Sequence, residues 1–159
     1  MGQILTDEQY NNLPKKRSGA AAIFLDVEGG LLIVKSPYKD YWTFPGGSIN
    51  ANESPLEACI RELEEEIGIT EVTLKFVCLD YQRSESDDSY QFIFYGGVLT
   101  DLQLSQIKLQ ADEIAAYKFV PIAEAQELLA MSSAKRILKC LEAMKSNTAI
   151  YLENADFVE

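Results

Sequence analysis

Three glutamates on one short stretch of the chain have the residue type and the spacing of a cation site. At about 100° per residue, Glu62, Glu65 and Glu66 fan over roughly a third of a helix circumference, and Glu64 falls outside that sector. Like charges on one helix sector repel each other. A divalent cation bound through carboxylate oxygens would offset this repulsion. The alternative is a solvated acidic face, which an ELEEE run taken alone also fits.

The helix that must position these glutamates carries its own start and stop signals. Ser54 suits the capping position, Pro55 suits the first helical position, and Glu57 can close a capping box. Gly68 is the matching stop. The apolar residues between these signals recur at helical spacing and predict one stripe that faces a core, away from the glutamates: Leu56, Ile60, Leu63 and Ile67.

The whole stretch from Gly47 to Ile69 follows a longer pattern. Its residues stand at the spacing G-x5-E-x7-R-E-U-x-E-E-x-G-U, where U is a bulky apolar residue. At average residue usage, the fixed identities in this pattern would coincide by chance roughly once in 10⁸ registers, so the pattern is specific. It resembles the signature of the Nudix hydrolases, and every specified position matches. Asn52 stands where many members have glycine, but asparagine tolerates a positive φ, so the turn is expected to survive.

The resemblance implies an α/β fold of the Nudix type, an α/β/α sandwich with a mixed β-sheet between helices. The residues alone predict the elements but not this topology. Strands are predicted at residues 20–25, 31–35 and 117–120, a hairpin at 72–83 with 90–99, and helices at 123–130 and 133–145. The apolar residues expected on one side of the last helix are Ile137, Leu138, Leu141 and Met144.

Nudix enzymes cleave a diphosphate linked to another group, usually a nucleoside, by attack of water at phosphorus with Mg²⁺ or Mn²⁺. The resemblance therefore implies that Glu65 and Glu66 are metal ligands and that Glu62 binds metal or orients the attacking water. The backbone carbonyl of Gly46 is implied as a further ligand, and Gly47 is expected to serve the turn alone. Oxygen ligands of this kind suit Mg²⁺, which keeps several of its waters.

Three further charged residues are assigned supporting or catalytic parts by the same resemblance. Arg61 and Glu53 are expected to hold the other carboxylates in place by bidentate hydrogen bonds. The alternative for Arg61 is an ordinary surface position on the helix. Glu113 lies ahead of a predicted strand, in a segment that resembles the loop where many Nudix proteins carry a glutamate that contacts metal or acts as a base. Its alternative is an exposed loop carboxylate.

The substrate is less constrained by the sequence. The aromatic candidates for stacking on a base are Tyr38, Tyr41, Trp42, Tyr81 and Tyr90. The cationic candidates for phosphate are Arg17, Lys39 and Arg83. Ordinary packing or surface exposure is the alternative for each of them. The interpretation that remains is a nucleoside triphosphate or a related nucleotide. A nucleotide-sugar or dinucleotide pyrophosphatase and a non-catalytic nucleotide-sensing module stay open as alternatives.

Composition narrows the class of protein and its partners. The chain has 159 residues and is most simply one domain, with a lead-in segment at 1–18 and a C-terminal tail at 146–159. Its net charge of −11 argues against binding a nucleic-acid polymer through a basic surface, whereas a metal ion can still mediate contact with a small anionic nucleotide. The absence of histidine excludes Ser-His and Cys-His catalysis. Scattered cysteines and the lack of a long apolar run predict a cytoplasmic protein away from membranes, and a homodimer is left open.

Overall fold

The computed structural model describes residues 5–85 and 87–158, so the first four residues of the predicted lead-in segment and the last residue of the predicted tail lie outside it. The described residues form one eight-stranded sheet. Its strands are β1 (Arg17–Leu25), β2 (Leu31–Lys35), β3 (Gly46–Ser48), β4 (Lys75–Gln82), β5 (Ser89–Val98), β6 (Ala116–Val120), β7 (Ile150–Glu153) and β8 (Asp156–Phe157). The helices are α1 (Asp7–Asn11), α2 (Pro55–Ile67), α3 (Asp101–Gln106), α4 (Ile122–Leu128) and α5 (Met131–Lys145).

The sheet is mixed, as the resemblance implied. Its strand order is β6-β2-β1-β5-β4-β7-β8, and β3 pairs with β1 outside this path. The β1–β5 and β4–β7 pairs are parallel, and the remaining pairs are antiparallel. The predicted hairpin is present, because β4 and β5 pair antiparallel across the acidic loop.

Helices cover both faces of the sheet, which confirms the predicted α/β/α sandwich. Successive side chains of a strand point to opposite faces, and β1 shows this clearly because both of its faces are buried. Phe24 packs into the core beneath α2, together with Leu63 and Ile67 of that helix. Ile23 packs into the core on the opposite face, together with Ala125 of α4 and Ile137 of α5.

The ends of α2 agree with the sequence prediction, but its buried face differs. Ser54 accepts a hydrogen bond from the Glu57 N–H in a complete capping box, and Gly68 ends the helix in the left-handed conformation at φ 73°. The predicted stripe is wrong at its start, since Leu56 is 42% exposed. The small residues Ala58 and Cys59 lie against the sheet instead.

The structure also departs from the prediction at other places. On α5, Ile137 is buried as expected, whereas Leu138 is 50% exposed, so that part of the predicted stripe is wrong. The tail, which has no decisive sequence pattern, forms β7 and β8 and extends the sheet beyond β4. Asn52 does adopt a positive φ of 63°, as expected for the residue before Glu53. None of the described helices is long and apolar enough to cross a bilayer.

Candidate active site

A glycine pair in β3 forms the wall against which the motif glutamates lie. Gly46 has φ 140°, and a Cβ atom there would lie 2.2 Å from the carbonyl oxygen of Ala20. Only glycine lets β3 approach β1 this closely. The Gly46 N–H donates a hydrogen bond of 2.7 Å to Oε2 of Glu66, which ties the end of α2 to the glycine pair.

Gly47 does more than the turn that the sequence suggested. A Cβ atom at this position would lie 2.4 Å from the carboxyl carbon of Glu62 and 2.5 Å from both of its oxygens. The missing side chain is therefore the space that the Glu62 carboxylate occupies. The two glycines receive two different glutamates of α2, which brings Glu62 and Glu66 to the same edge of the sheet.

Arg61 holds three carboxylates at once. Its Nε and Nη2 donate to the two carboxylate oxygens of Glu53 at 2.7 and 3.0 Å, which is a bidentate pair. Its Nη1 donates to Glu62 at 2.8 Å and to Glu65 at 2.9 Å, and its Nη2 also reaches the carbonyl oxygen of Ser48 at 3.0 Å. These hydrogen bonds raise the pKa of Arg61 above its usual range, and the bonds to Glu53 contribute most. The contacts expected of Arg61 and Glu53 are present, and their part in catalysis stays a prediction.

Glu66 is the most perturbed carboxyl group of the motif. It is only 9% exposed, and burial is the main reason that its pKa rises to about 7. The Gly46 N–H opposes this rise, whereas the charges of Glu62 and Glu113 add to it and Lys39 weakly offsets them. A buried carboxylate with like charges around it is typical of a site that binds a cation or handles protons.

This perturbation predicts how stability depends on pH when metal is removed. The folded-state pKa of Glu66, about 7, lies above its ordinary value of 4.5, so its contribution to stability is fully present below pH 4.5 and is lost as the pH rises through 7. In EDTA, wild type is expected to lose stability relative to Glu66→Gln between these values, on the order of 2–3 kcal/mol. Urea unfolding of both proteins at pH 5 and pH 8 measures the difference.

The comparison with the variant is needed because Glu53 and Glu57 act in the opposite direction. Hydrogen bonds lower the pKa values of both groups, Arg61 being the first cause for Glu53 and the Ser54 N–H for Glu57. Their stabilisation is therefore lost as the pH falls, and it cancels when the two proteins are subtracted. A difference between wild type and Glu66→Gln that stays constant from pH 5 to pH 8 would contradict the raised pKa.

Glu113 reaches this edge because its loop is pinned to the end of α2. The Lys108 N–H donates to the carbonyl oxygen of Ile67 at 3.0 Å, and the Gln110 N–H donates to that of Glu66 at 3.2 Å. The Glu113 N–H in turn donates to the Gln110 carbonyl oxygen at 2.9 Å. The Glu113 side chain is exposed, and its charge acts on Glu66. The structure thus brings together the motif and the later glutamate, and the catalytic role of Glu113 stays a prediction.

A cleft of about 470 Å³ opens beside the glycine pair. Two of the predicted substrate-binding residues line it, Arg17 and Lys39. Arg17 is 76% exposed and forms an ion pair with Asp87 at the rim. The walls of the cleft also contain residues that the sequence does not mark as candidates, among them Gln91 and Arg136.

The predicted substrate-binding residues Tyr38, Trp42 and Arg83 are not in the cleft lining. Tyr38 is 82% exposed. Trp42 packs against the core beneath α4 and α5, and Lys118 Nζ lies 5.0 Å from the centre of its ring. The guanidinium carbon of Arg83 lies 5.9 Å from the centre of the Tyr81 ring, and the Arg83 backbone N–H donates to Oδ1 of Asn154. None of the three side chains faces the cleft, so the structure gives no support to the prediction that they bind substrate.

Arg136 belongs to a buried ion pair that the sequence analysis missed. Its Nε donates to Oδ2 of Asp80 at 2.7 Å, and the two side chains are 4% and 0% exposed. Asp80 also accepts from Gln82 Nε2 at 2.5 Å and from the Ala155 N–H at 3.0 Å. The available signal was a charged residue at a core-facing position of a strand, two residues after buried Cys78.

The carboxylates of this edge have the chemistry of a hard-cation site, although they are not gathered around a point. Across residues 5–85 and 87–158, no three acidic or cysteine side chains stand close enough together to hold a metal ion. The reason is visible in the contacts of Arg61, which draws Glu62 and Glu65 toward Glu53. Among the described residues, no cationic side chain donates a hydrogen bond to Glu66, which accepts one from the Gly46 N–H instead. Oxygen donors with excess negative charge fit Mg²⁺ or Mn²⁺.

Comparison with known proteins identifies the family. The NUDIX domain family matches residues 15–140, which is most of the chain, so this protein belongs to the NUDIX domain family. The chain is 42% identical over 66 residues to the 8-oxo-dGTP diphosphatase of Proteus vulgaris, a match that covers 38% of this chain and 59% of that protein. It is 30% identical over 133 residues to the m7GpppN-mRNA hydrolase of Saccharomyces cerevisiae, covering 76% of this chain and 13% of that protein.

The fold is also that of a solved relative. The crystal structure of the MutT protein from Methanosarcina mazei superposes with a TM-score of 0.65 at 21% identity, covering 86% of this chain and 99% of that one. The chain thus spans less than two thirds of the two curated relatives, 59% and 13% of their lengths. These matches establish the family and the fold.

Proposed function

We propose that this protein is a Nudix pyrophosphohydrolase that cleaves a nucleoside diphosphate linked to another group by attack of water at phosphorus. The preferred substrate class is a nucleoside triphosphate or a related nucleotide. The observation that carries the proposal is the position of Glu66, buried beside Glu62 and Glu113 at the glycine pair that lines the cleft. Unbalanced carboxylate charge at the mouth of a cleft needs a cation, and a cation there needs an anionic ligand such as a diphosphate.

The residues of this edge have distinct parts in the proposal. Glu62, Glu65, Glu66 and the Gly46 carbonyl would hold Mg²⁺ or Mn²⁺, and Arg61 would release Glu62 and Glu65 to it while keeping its bidentate pair with Glu53. A bound Mg²⁺ would neutralise phosphate charge and lower the pKa of a coordinated water. Glu113, whose charge acts on Glu66, would accept a proton from water or bind the cation. Lys39, in the cleft wall near Glu66, would meet phosphate oxygens.

The proposal is tested by incubation with a panel of nucleoside diphosphate derivatives and Mg²⁺, followed by identification of the products. The panel contains nucleoside triphosphates, a nucleotide sugar, a dinucleoside polyphosphate and an RNA oligonucleotide with a 5′-triphosphate. Pyrophosphate and a nucleoside monophosphate are the expected products of the preferred class. EDTA is expected to abolish turnover, and added Mg²⁺ or Mn²⁺ is expected to restore it.

Each other result assigns the site differently. A phosphosugar product would indicate a nucleotide-sugar pyrophosphatase, and cleavage of the RNA end alone would contradict the small-molecule substrate. Turnover that persists in EDTA would contradict the metal mechanism. No turnover of any panel member would indicate a nucleotide-sensing module. The free, buried cysteines fit the further proposal of a reducing, cytoplasmic location.

A further inference from the structure

We infer that Arg136 is the base-recognition residue of the cleft and selects a 6-oxopurine, that is, guanine or hypoxanthine. The inference rests on the proposed function, because it assumes that the ligand of the cleft is a nucleotide. Arg136 is a buried cation whose charge is balanced by Asp80, but some of its N–H groups have no acceptor among the described residues.

Arg136 has one edge engaged and the other free. Its Nε is held by Asp80, and Nη1 and Nη2 have no hydrogen-bond partner within the described part of the chain. In the same described residues, no fully buried side-chain nitrogen or oxygen lacks a partner. The two Nη atoms must therefore keep contact with open space, and for a residue only 4% exposed that lines the cleft, this space is the cleft.

Asp80 fixes the direction of this free edge. The carboxylate accepts from Arg136, from Gln82 Nε2 and from the Ala155 N–H, so it is itself held in place by β4 and by the β7–β8 turn. A guanidinium whose Nε is tied down is preorganised, and little rotamer entropy is lost when a ligand binds. Since Asp80 already balances the charge, the free edge suits a neutral acceptor as well as an anion.

The position of Arg136 in the fold distinguishes between these two kinds of acceptor. Arg136 lies on α5, which packs against one face of the sheet, whereas Glu62 and Glu66 lie on α2, which packs against the opposite face. The charge of Lys39 reaches Glu66, whereas the charge of Arg136 acts on the buried thiols Cys78 and Cys140. The diphosphate belongs at the glutamate end, so the group that meets Arg136 is the other end of the nucleotide.

The surroundings of Arg136 fit a nucleobase. Phe44 and Ile93 are buried apolar residues in the cleft wall, and Gln91 adds an amide. The remaining wall is largely polar, so the cleft joins a small apolar surface to a fixed pair of donors, a combination that suits a flat heterocycle with polar edges. A guanidinium only donates, so it requires two adjacent acceptors. Guanine and hypoxanthine present O6 and N7, whereas adenine places its N6 amino donor beside N7.

The test is the equilibrium binding of GMP, IMP and AMP to the full chain in EDTA, measured by calorimetry. Wild type is expected to bind GMP and IMP at least ~10-fold more tightly than AMP, which is the discrimination that one bidentate pair provides. Arg136→Lys keeps a positive charge beside Asp80 but lacks the fork, and its preference is expected to fall below about threefold. Lys135→Gln removes an exposed charge from the same turn of α5 and is expected to keep the wild-type preference.

Several results would overturn the inference. Equal affinity of wild type for GMP and AMP does so without any variant, and so does the absence of binding by all three. A preference that survives in Arg136→Lys would assign the base to another residue. Equal weakening of all three ligands in that variant would make Arg136 a phosphate contact.

The inference and the proposed function fail separately. Hydrolysis of nucleotides with Mg²⁺ but without a 6-oxopurine preference overturns the inference alone. Selective binding of GMP by a protein that hydrolyses nothing in the panel overturns the proposed activity alone. The binding assay needs neither metal nor turnover, so it decides the role of Arg136 in either case.

Discussion

Glu66→Gln is expected to lower kcat/KM by at least ~10²-fold, whereas Glu64→Gln should lower it by less than about threefold. Both changes remove one negative charge from the same part of α2, and their effects on helix propensity are similarly small. Glu66 is buried and accepts the Gly46 N–H at the cleft, whereas Glu64 is exposed and points roughly 160° away on the helix. Under the proposed function Glu66 binds the metal directly, and the loss of such a ligand should cost about 2.7 kcal/mol or more of transition-state stabilisation.

Steady-state kinetics on both variants with Mg²⁺ measures the contrast, and thermal melting in EDTA checks that each is folded. The melting experiment carries information of its own. Above pH 7 without metal, Glu66→Gln should be at least as stable as wild type, because it removes a buried charge that Glu62 and Glu113 repel. An inactive variant that is no less stable is the signature of a residue kept for function. Equal and small losses in both variants would mean that the glutamates form only a solvated acidic face.

The parts of the fold that the sequence predicts well are those encoded by neighbouring residues. The ends of α2 are set by Ser54, Glu57 and Gly68, whose contacts all lie within one turn of the helix. The contacts of Arg61 with Glu62 and Glu65 are likewise local, and they follow from the helical period. For these features, the spacing of residues along the sequence determines which side chains meet.

Two short helices show a limit of reading by apolar periodicity. Thr6 and Thr100 each form a capping box with the glutamine three residues later, and these boxes begin α1 and α3. Neither helix has a buried residue, so no apolar stripe announces it. A capping signal without an apolar pattern is therefore too weak by itself to predict a short helix.

Contacts between distant residues account for the remaining differences. The helical period predicts that Leu56 lies in the core. The residues that are buried there are Ala58 and Cys59, whose small side chains permit close approach of the helix to the sheet. The space beside Gly47 is filled by Glu62 from another element, so the glycine has a purpose that no local turn reveals. The β7–β8 tail pairs with β4, far away in sequence, and its role as a donor to Asp80 has no local signal at all.

Asp80→Ala is expected to destabilise the protein by about 3–5 kcal/mol, because it leaves Arg136 buried without its counter-charge. The variant also removes the acceptor of the Ala155 N–H, so the β7–β8 turn loses one of its hydrogen bonds to the core. Urea unfolding measures the loss. Asp156→Asn is the matched control. Asp156 forms an ion pair of 2.9 Å with Lys139, which lies on α5 like Arg136, but the Asp156 side chain is 67% exposed. Its unfolding midpoint should not be separable from that of wild type.

The double variant Asp80→Ala with Arg136→Met separates the cost of an unpaired charge from the worth of the pair. Methionine fills a similar volume without a charge, and buried ion pairs replaced by apolar residues are often neutral in stability. We expect the double variant to recover more than half of the loss, with the remainder set by the orphaned Ala155 N–H. No recovery would mean that Asp80 stabilises the fold through the tail rather than through Arg136. Full recovery of stability together with loss of GMP preference would show that the pair is retained for recognition, since an apolar pair would stabilise the same fold as well.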